Sequence, residues 1–490
     1  MERGDETAGV TPRFLARLFS TIPVERLAEH ARAHTLRRAL RAHDLIAVGL
    51  GTMIGGGIFT TIGPGVQKAG PAIIVAFLLA GSASLFAALA YAELGAMVPV
   101  AGSAYTYAYA TLGQIVAWII GWDLILEYGV SAAPVAQQFS ASLQDALRGC
   151  GIVLPHWAQT AHLAITSSWI DWSHTQIDLI GASFVLVLSA LLALGISETA
   201  ISNNVFVVVK IGALVVFVIA GLSLFHPQNL APFAPLGWGK LSFGASGNGI
   251  IPAAALVFFT YIGFDTATTT AEETRAPQRD IPIGVIGSLA IGTLIYCSVA
   301  TVLVGVVPWK QIDPNAPLLA AIAPLHNPFV SWAITVGILA GTTTVALTSL
   351  LGQTRIFYVM ARDGMLPPFV SAVHPRFKTP ARMTMLTGIV VAVLTLIVPL
   401  DALLELVNIG TFSAFIIVCA GVIWLRYKRP ELERPFRSPL VPLFPLCGIV
   451  LSLFLSTVGL GPLTWLRFIV WLAVGLTIYF AYGFRNARLT

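Results

Sequence analysis

Charge is what this sequence has least of. Only 10% of its 490 residues are Asp, Glu, Lys or Arg, while 56% are hydrophobic and the mean hydropathy is +0.83. A soluble globular chain carries about 25% charged residues, so a water-solvated globule is excluded. Cysteine is also scarce. Cys150, Cys297, Cys419 and Cys447, three of them inside apolar runs, offer neither a disulfide framework nor metal-ligand spacing. No paired nucleophile and base stands at membrane depth, so no catalytic residue, metal site or enzymatic activity is expected. A cleavable signal peptide is missing as well, because the first 43 residues are polar and Arg-rich.

Apolar runs long enough to cross a bilayer, which takes ~20 residues, fill the rest of the chain. Twelve are readable, near 44–68, 71–98, 105–139, 178–195, 201–225, 247–270, 281–307, 329–360, 383–400, 403–425, 440–460 and 463–484. The expected fold class is an all-α integral membrane protein with 12 transmembrane helices. The third and eighth runs are long enough to tilt or break.

The net charge of +5 speaks for topology rather than for nucleic acid. With a cytoplasmic N-terminus, 22 of the 28 Lys and Arg residues fall on inside segments and five on outside loops, leaving Lys210 in the membrane. Both termini are therefore expected in the cytoplasm. The longest outside loop, about 141–177, contains His156, His162 and His174. Without paired ligand spacing it reads as a solvated connection rather than a metal site. The basic tail, 1–43, either lays a helix on the anionic inner leaflet or only satisfies topology.

One run carries its own interruption. Residues 51–63 read GTMIGGGIFTTIG, with Gly55, Gly56 and Gly57 in succession after Ile54. Glycine inside a helix costs about 1 kcal/mol relative to alanine. Broken membrane helices are tolerated where the freed backbone lines a cavity or packs against protein. A second break is expected five helices later if the fold is an inverted repeat. FFTYIGFDTATTTAEE, 258–273, supplies one at Gly263. Close helix packing is the plain alternative for such glycines. The matched pair favours a binding site instead. N–H groups at Gly55–Gly57 suit a carboxylate, and carbonyls around Phe259, Thr260 and Ile262 suit an ammonium group.

Lys210, in NNVFVVVKIGALVVF, lies about ten residues into its run, roughly mid-bilayer at 1.5 Å per residue. It is a proton-coupling candidate, or else a structural cation bonded to carbonyls. Glu127, in GWDLILEYG, and Asp265 are the other acids at depth, fit to relay a proton or to brace a broken helix. Asp123 and Glu93 lie nearer to segment ends. Arg355 and Arg362, near an inner end, suit a gate or surface role.

These residues carry a resemblance. GLGTMIGGGIF, GWDLILEY, NNVFVVVKIGAL, FFTYIGFDTATTTAEET with PQRDIPIG, and GQTRIFYVMARDGMLP occur in family order. In them the chain resembles the amino acid–polyamine–organocation transporter superfamily, in its bacterial cationic amino acid transporter branch. The resemblance implies a five-plus-five inverted repeat with broken helices 1 and 6 over 44–425, then two C-terminal helices in 426–490. It implies carboxylate binding by Gly55, Gly56 and Gly57, where relatives commonly have Thr, Ser or Ala at the position of Gly56, so the pocket should be enlarged there. It assigns main-chain carbonyls of Phe259, Thr260 and Ile262 to the substrate's amino group. Side-chain choice falls to the region of Gly341, Thr342 and Thr343, and proton coupling to Lys210 with Asp265 and Glu127.

The implied function is proton-coupled uptake of L-amino acids in a bacterial inner membrane, broad or small neutral ones favoured. Exchange, or carriage of cationic amino acids or polyamines, is the alternative, and an ion channel is the reading from another class. The expected partners are the amino acid and the bilayer, with the proton as coupling ion and no other cofactor. A small accessory membrane subunit is left open.

Overall fold

The structure, a computed structural model, describes residues 17–21, 40–98, 103–149, 151–161, 175–195, 200–244, 247–314, 316–377 and 379–487. Most of the basic tail, Cys150, His162 and His174 lie outside the described residues. Among the described residues the chain is helical, with an isolated β-bridge between Leu40 and Thr274 and no strand.

The helices are α1 (Ala42–Met53), α2 (Gly57–Ala69), α3 (Ile73–Met97), α4 (Ser103–Thr111), α5 (Gln114–Leu124), α6 (Ala132–Gly149), α7 (Leu179–Ala193) and α8 (Ala200–Leu222). They continue as α9 (Ile250–Val257), α10 (Thr266–Thr269), α11 (Pro277–Val306), α12 (Pro317–Ile322), α13 (Pro328–Arg362), α14 (Ala381–Ile397), α15 (Leu400–Lys428), α16 (Leu443–Gly459) and α17 (Pro462–Ile478). Eight helical stretches among the described residues are long and apolar enough to cross a membrane, and α7, α14 and α16 are shorter apolar helices.

The third apolar run breaks, one of the two outcomes its length allows. It is divided at Gly113, whose φ of +100° an L side chain resists, so α4 is a separate helix. Beyond that turn, α5 and α6 are joined through a π-helical turn at Ile125–Val130. The helix reaches Gly149, ten residues past the expected end, and shortens the loop with three histidines. The eighth run stays one unbroken helix, α13.

Helix ends meet in two sets. Leu40 bridges Thr274, Tyr105 donates to Asp363 Oδ2 at 2.9 Å, and Arg426 grips Glu93 through two bonds of 2.9 and 2.7 Å. At other ends, Gly249 N–H donates to Lys68 O at 2.7 Å, Gln67 to Ile312 O at 2.8 Å, and Asp178 N–H to Leu396 O at 3.1 Å. Each contact joins ends that the charge alternation assigns to one side.

Candidate functional site

The site is built where two helices stop. Residue Ile54 turns extended (φ −84°, ψ 121°) and Gly55 takes φ +131°, so α1 cannot run on into α2. The N–H of Ile54 still donates to Leu50 O at 2.9 Å, and the chain then passes through a turn at 54–56 before the next helix begins at Gly57. The start of the 13-residue α2 therefore lies at the break, and the first N–H groups of a helix are an anion-binding arrangement.

The second stop is different in form. Helix α9 tightens into a 3-10 turn over Phe258–Tyr261, Ile262 is extended (φ −64°, ψ 132°), and Gly263 takes φ +110°. Stacking of Phe258 on Phe412 of α15, with ring centres 4.0 Å apart, anchors this turn.

The two stops interlock. Thr52 donates its hydroxyl to Gly263 O at 2.7 Å, and a Cβ at Gly263 would come within 2.8 Å of Thr52 Cβ. Gly57 meets the backbone of Thr260, and Gly55 meets the backbone of Gly341 in α13. These approaches leave no space for a methyl group, so close packing and an exposed backbone occur together at the same glycines.

A cavity of about 730 Å³ opens from the interlock. Gly56, Gly57, Phe259, Ile262 and Gly263 line its inner end, together with Glu127, Ser131, Val345 and Ser349. It runs towards Glu273, Arg355, Tyr358 and Pro380, at the end where Leu40 meets Thr274. At the opposite end, α2 is held against Ile312 and Pro314 by Gln67 and Gly63.

Gly56, Gly57, Phe259 and Ile262 thus come together on the cavity as the sequence suggests. Ile54 and Gly55 lie behind it. Thr260 is turned away: its carbonyl accepts from Tyr296 Oη at 3.0 Å, and its hydroxyl donates to Val257 O at 2.7 Å. Thr342 is fully buried, with its hydroxyl donating to Ile338 O at 2.8 Å, so α13 reaches the cavity through Val345, Thr348, Ser349 and Gly352 instead. The enlargement expected at Gly56 is also corrected. A Cβ there would lie 2.7 Å from Val345 Cγ1 and 2.8 Å from Val135 Cγ2, so two valines fill the space the glycine leaves. Val345 stands one helical turn from Gly341, which was the available signal. Val135 had none.

The ionisable groups sit around this centre. Lys210, fully buried, donates to Gly51 O in α1 and to Thr344 Oγ1 at 3.1 Å in α13. It ties the end of α1, just before the first break, to α13 without lining the cavity. Glu127 is 2% exposed within the π-helical turn, and its Oε2 has no partner among the described residues. Asp265 accepts from Tyr128 Oη at 3.3 Å, which joins the turn to the second break. Four residues earlier, in α5, Asp123 is buried beside Ser413. No cluster of His, Cys, Asp and Glu among the described residues could hold a metal.

Apolar helices, paired breaks and a cavity opening from them define a helical membrane transporter. The family profile described as amino acid permease matches residues 41–480, and the chain belongs to that family, within the amino acid–polyamine–organocation superfamily. Its relatives are transporters, not enzymes. The chain is 42% identical to the branched-chain amino acid permease BcaP of Bacillus subtilis, over 93% of this chain and 95% of that protein. It is 38% identical to the methylthioribose transporter of the same organism, over 97% and 100%. The vacuolar cationic amino acid transporter 4 of Arabidopsis thaliana is 35% identical, over 81% and 65%.

Proposed function

We propose that this protein takes up neutral L-amino acids, branched or small ones first, by proton-coupled alternating access. The observation that carries the reading is the meeting of both breaks on one cavity, with Gly56 and Gly57 at the start of α2 lining it together with Phe259 and Ile262. A carboxylate would lie on the first and an ammonium group on the carbonyl side of the second. Val135 and Val345 beside Gly56 suit an aliphatic side chain and disfavour a charged one. The permease from Bacillus subtilis named for branched-chain amino acids supports the same substrate class.

Coupling is assigned to Lys210. As a cation it holds α1 to α13 just before the first break; once neutral it holds them less firmly. Protonation would thus favour one arrangement of α1, with Glu127 and Asp265 as relay groups. The accompanying topology has twelve crossings, ten of them a five-plus-five repeat over 44–425, with both termini on the cytoplasmic side of a bacterial inner membrane.

The test is uptake into proteoliposomes with an inward proton gradient, using labelled valine, leucine, alanine, arginine and methylthioribose. Accumulation of valine and leucine that collapses with the gradient is expected. Gradient-independent one-for-one exchange would overturn the coupling, and saturation with counterflow separates a carrier from a channel. Cationic substrates are the second reading, favoured by the unpartnered Glu127 oxygen beside the cavity. Gradient-driven arginine uptake that outruns leucine would establish it.

A further inference from the structure

A second cavity, of about 610 Å³, lies outside the transport site on the flank of α11. Gln278 and Arg279 form its mouth, and Pro282, Ile283, Ile286 and Gly287 continue along the same helix face at intervals of four. The opposite wall is Pro435 and Phe436, in the connection between α15 and α16. From Arg279 to Gly287 the helix rises about 12 Å, at 1.5 Å per residue. The groove therefore runs along the helix axis from a cationic mouth to an apolar interior.

Charge and exposure at this groove are asymmetric. Arg279 is exposed, and its side chain makes no ion pair or hydrogen bond to the described residues. Arg275 and Arg437, both exposed, flank the mouth in sequence. Asp280, the adjacent acid, is buried and so is withdrawn from the mouth. Below the groove the apolar track continues through Ile291 and Leu294, which are 40% and 69% exposed. Helix α11 is among the stretches apolar enough to cross a membrane, so this track is in contact with acyl chains.

We propose that this groove is a binding site for one anionic phospholipid, its phosphate on Arg279 and one acyl chain along Ile283, Ile286 and Phe436. The order along the helix, cation first and apolar surface deeper, is that of a phospholipid seated in its own leaflet. A sterol would leave Arg279 unanswered, and a free phosphate would leave the apolar walls unused. The site also touches the moving part of the transporter. A Cβ at Gly287 would lie 3.0 Å from Ile46 Cδ1 of α1, so the groove wall is backed by the half-helix that ends at the first break. A seated lipid braces α1 against α11 and makes turnover depend on headgroup charge. That consequence rests on the transport reading, whereas the binding site does not.

Native mass spectrometry of the protein released from mixed phosphatidylglycerol and phosphatidylcholine membranes tests binding without any substrate. One phosphatidylglycerol is expected to be retained in preference to phosphatidylcholine. Arg279→Ala should lower its retention roughly fivefold, the share one arginine contributes near an anionic surface. Arg279→Lys should keep most of it, and Ile283→Trp should displace it by filling the groove. Equal retention of the two lipids, unchanged retention in Arg279→Ala, or displacement by inorganic phosphate alone would each overturn the proposal. Retained lipid without gradient-driven uptake would leave the site standing and count against the transport reading.

Discussion

At Gly56 a single absent side chain sets the shape of the cavity where the two breaks meet. Its neighbours Val135 and Val345 already occupy the space, so Gly56→Ala overpacks the site, at a cost of about 1–3 kcal/mol. The expected result is an affinity for leucine at least tenfold weaker, measured by binding to the purified protein. Val345→Ala in the same chain should restore most of it, because the methyl group then has room; failure of that rescue would show that Gly56 is needed for its backbone alone. Lys210 allows a second measurement at this scale. Lys210→Ala removes the donor shared by Gly51 and Thr344, hydrogen bonds worth about 1.5–3 kcal/mol each for a charged group. Concentrative uptake under an inward proton gradient should fall to simple equilibration, while counterflow persists. Normal accumulation in this variant would sink the coupling assignment.

At the scale of elements, what matters is how ends are tied. Glu93, at the end of α3, accepts from Arg426 of α15 through both oxygens and from Ser438 N–H at 2.8 Å, with Arg434 Nε 3.4 Å away. Arg434 in turn donates to the carbonyls of Leu425 and Leu432, at 3.1 and 2.7 Å. Burial of Glu93 and Arg434 makes the loss of this carboxylate expensive. Glu93→Ala is expected to lower the stability by about 3–5 kcal/mol, read as earlier thermal unfolding in detergent. A melting temperature equal to the wild type would show that the arginines are satisfied by carbonyls and water alone. The sequence ranked Glu93 low, because a residue near a segment end has no visible partner 333 positions away. The breaks were far more legible. Three adjacent glycines, and a glycine followed by an acid five runs later, announce themselves within short windows. Thr260 shows the limit of that reading, since only the fold brings Tyr296 to its carbonyl.

For the whole molecule, the alternation of Lys and Arg makes a prediction independent of transport. A membrane-impermeant maleimide on intact cells should label Lys240→Cys and spare Lys428→Cys, both exposed positions. The reverse pattern would invert the topology, and labelling of both would break the alternation. The cavity belongs to this scale as well. It opens towards Arg355 and Pro380, the end assigned to the cytoplasm, while Gln67 and Gly63 close the far end of α2. Under the proposed alternating access, opening the far side would take α2 away from Ile312 and Pro314, and closing the near side would move α1 with the Leu40–Thr274 bridge.

Composition and hydrophobic run length by themselves determined that this chain is an all-helical membrane protein, because a bilayer leaves few ways to satisfy a backbone. Glycine placement determined where its helices break, since backbone conformation there is a local property. Which broken-backbone groups face the cavity was decided only by tertiary structure. Gly55 backs onto Gly341, Thr260 is taken by Tyr296, and Thr342 turns into its own helix, each for want of space or a partner that no local window contains. The volume beside Gly56 was decided the same way, by two valines from different helices.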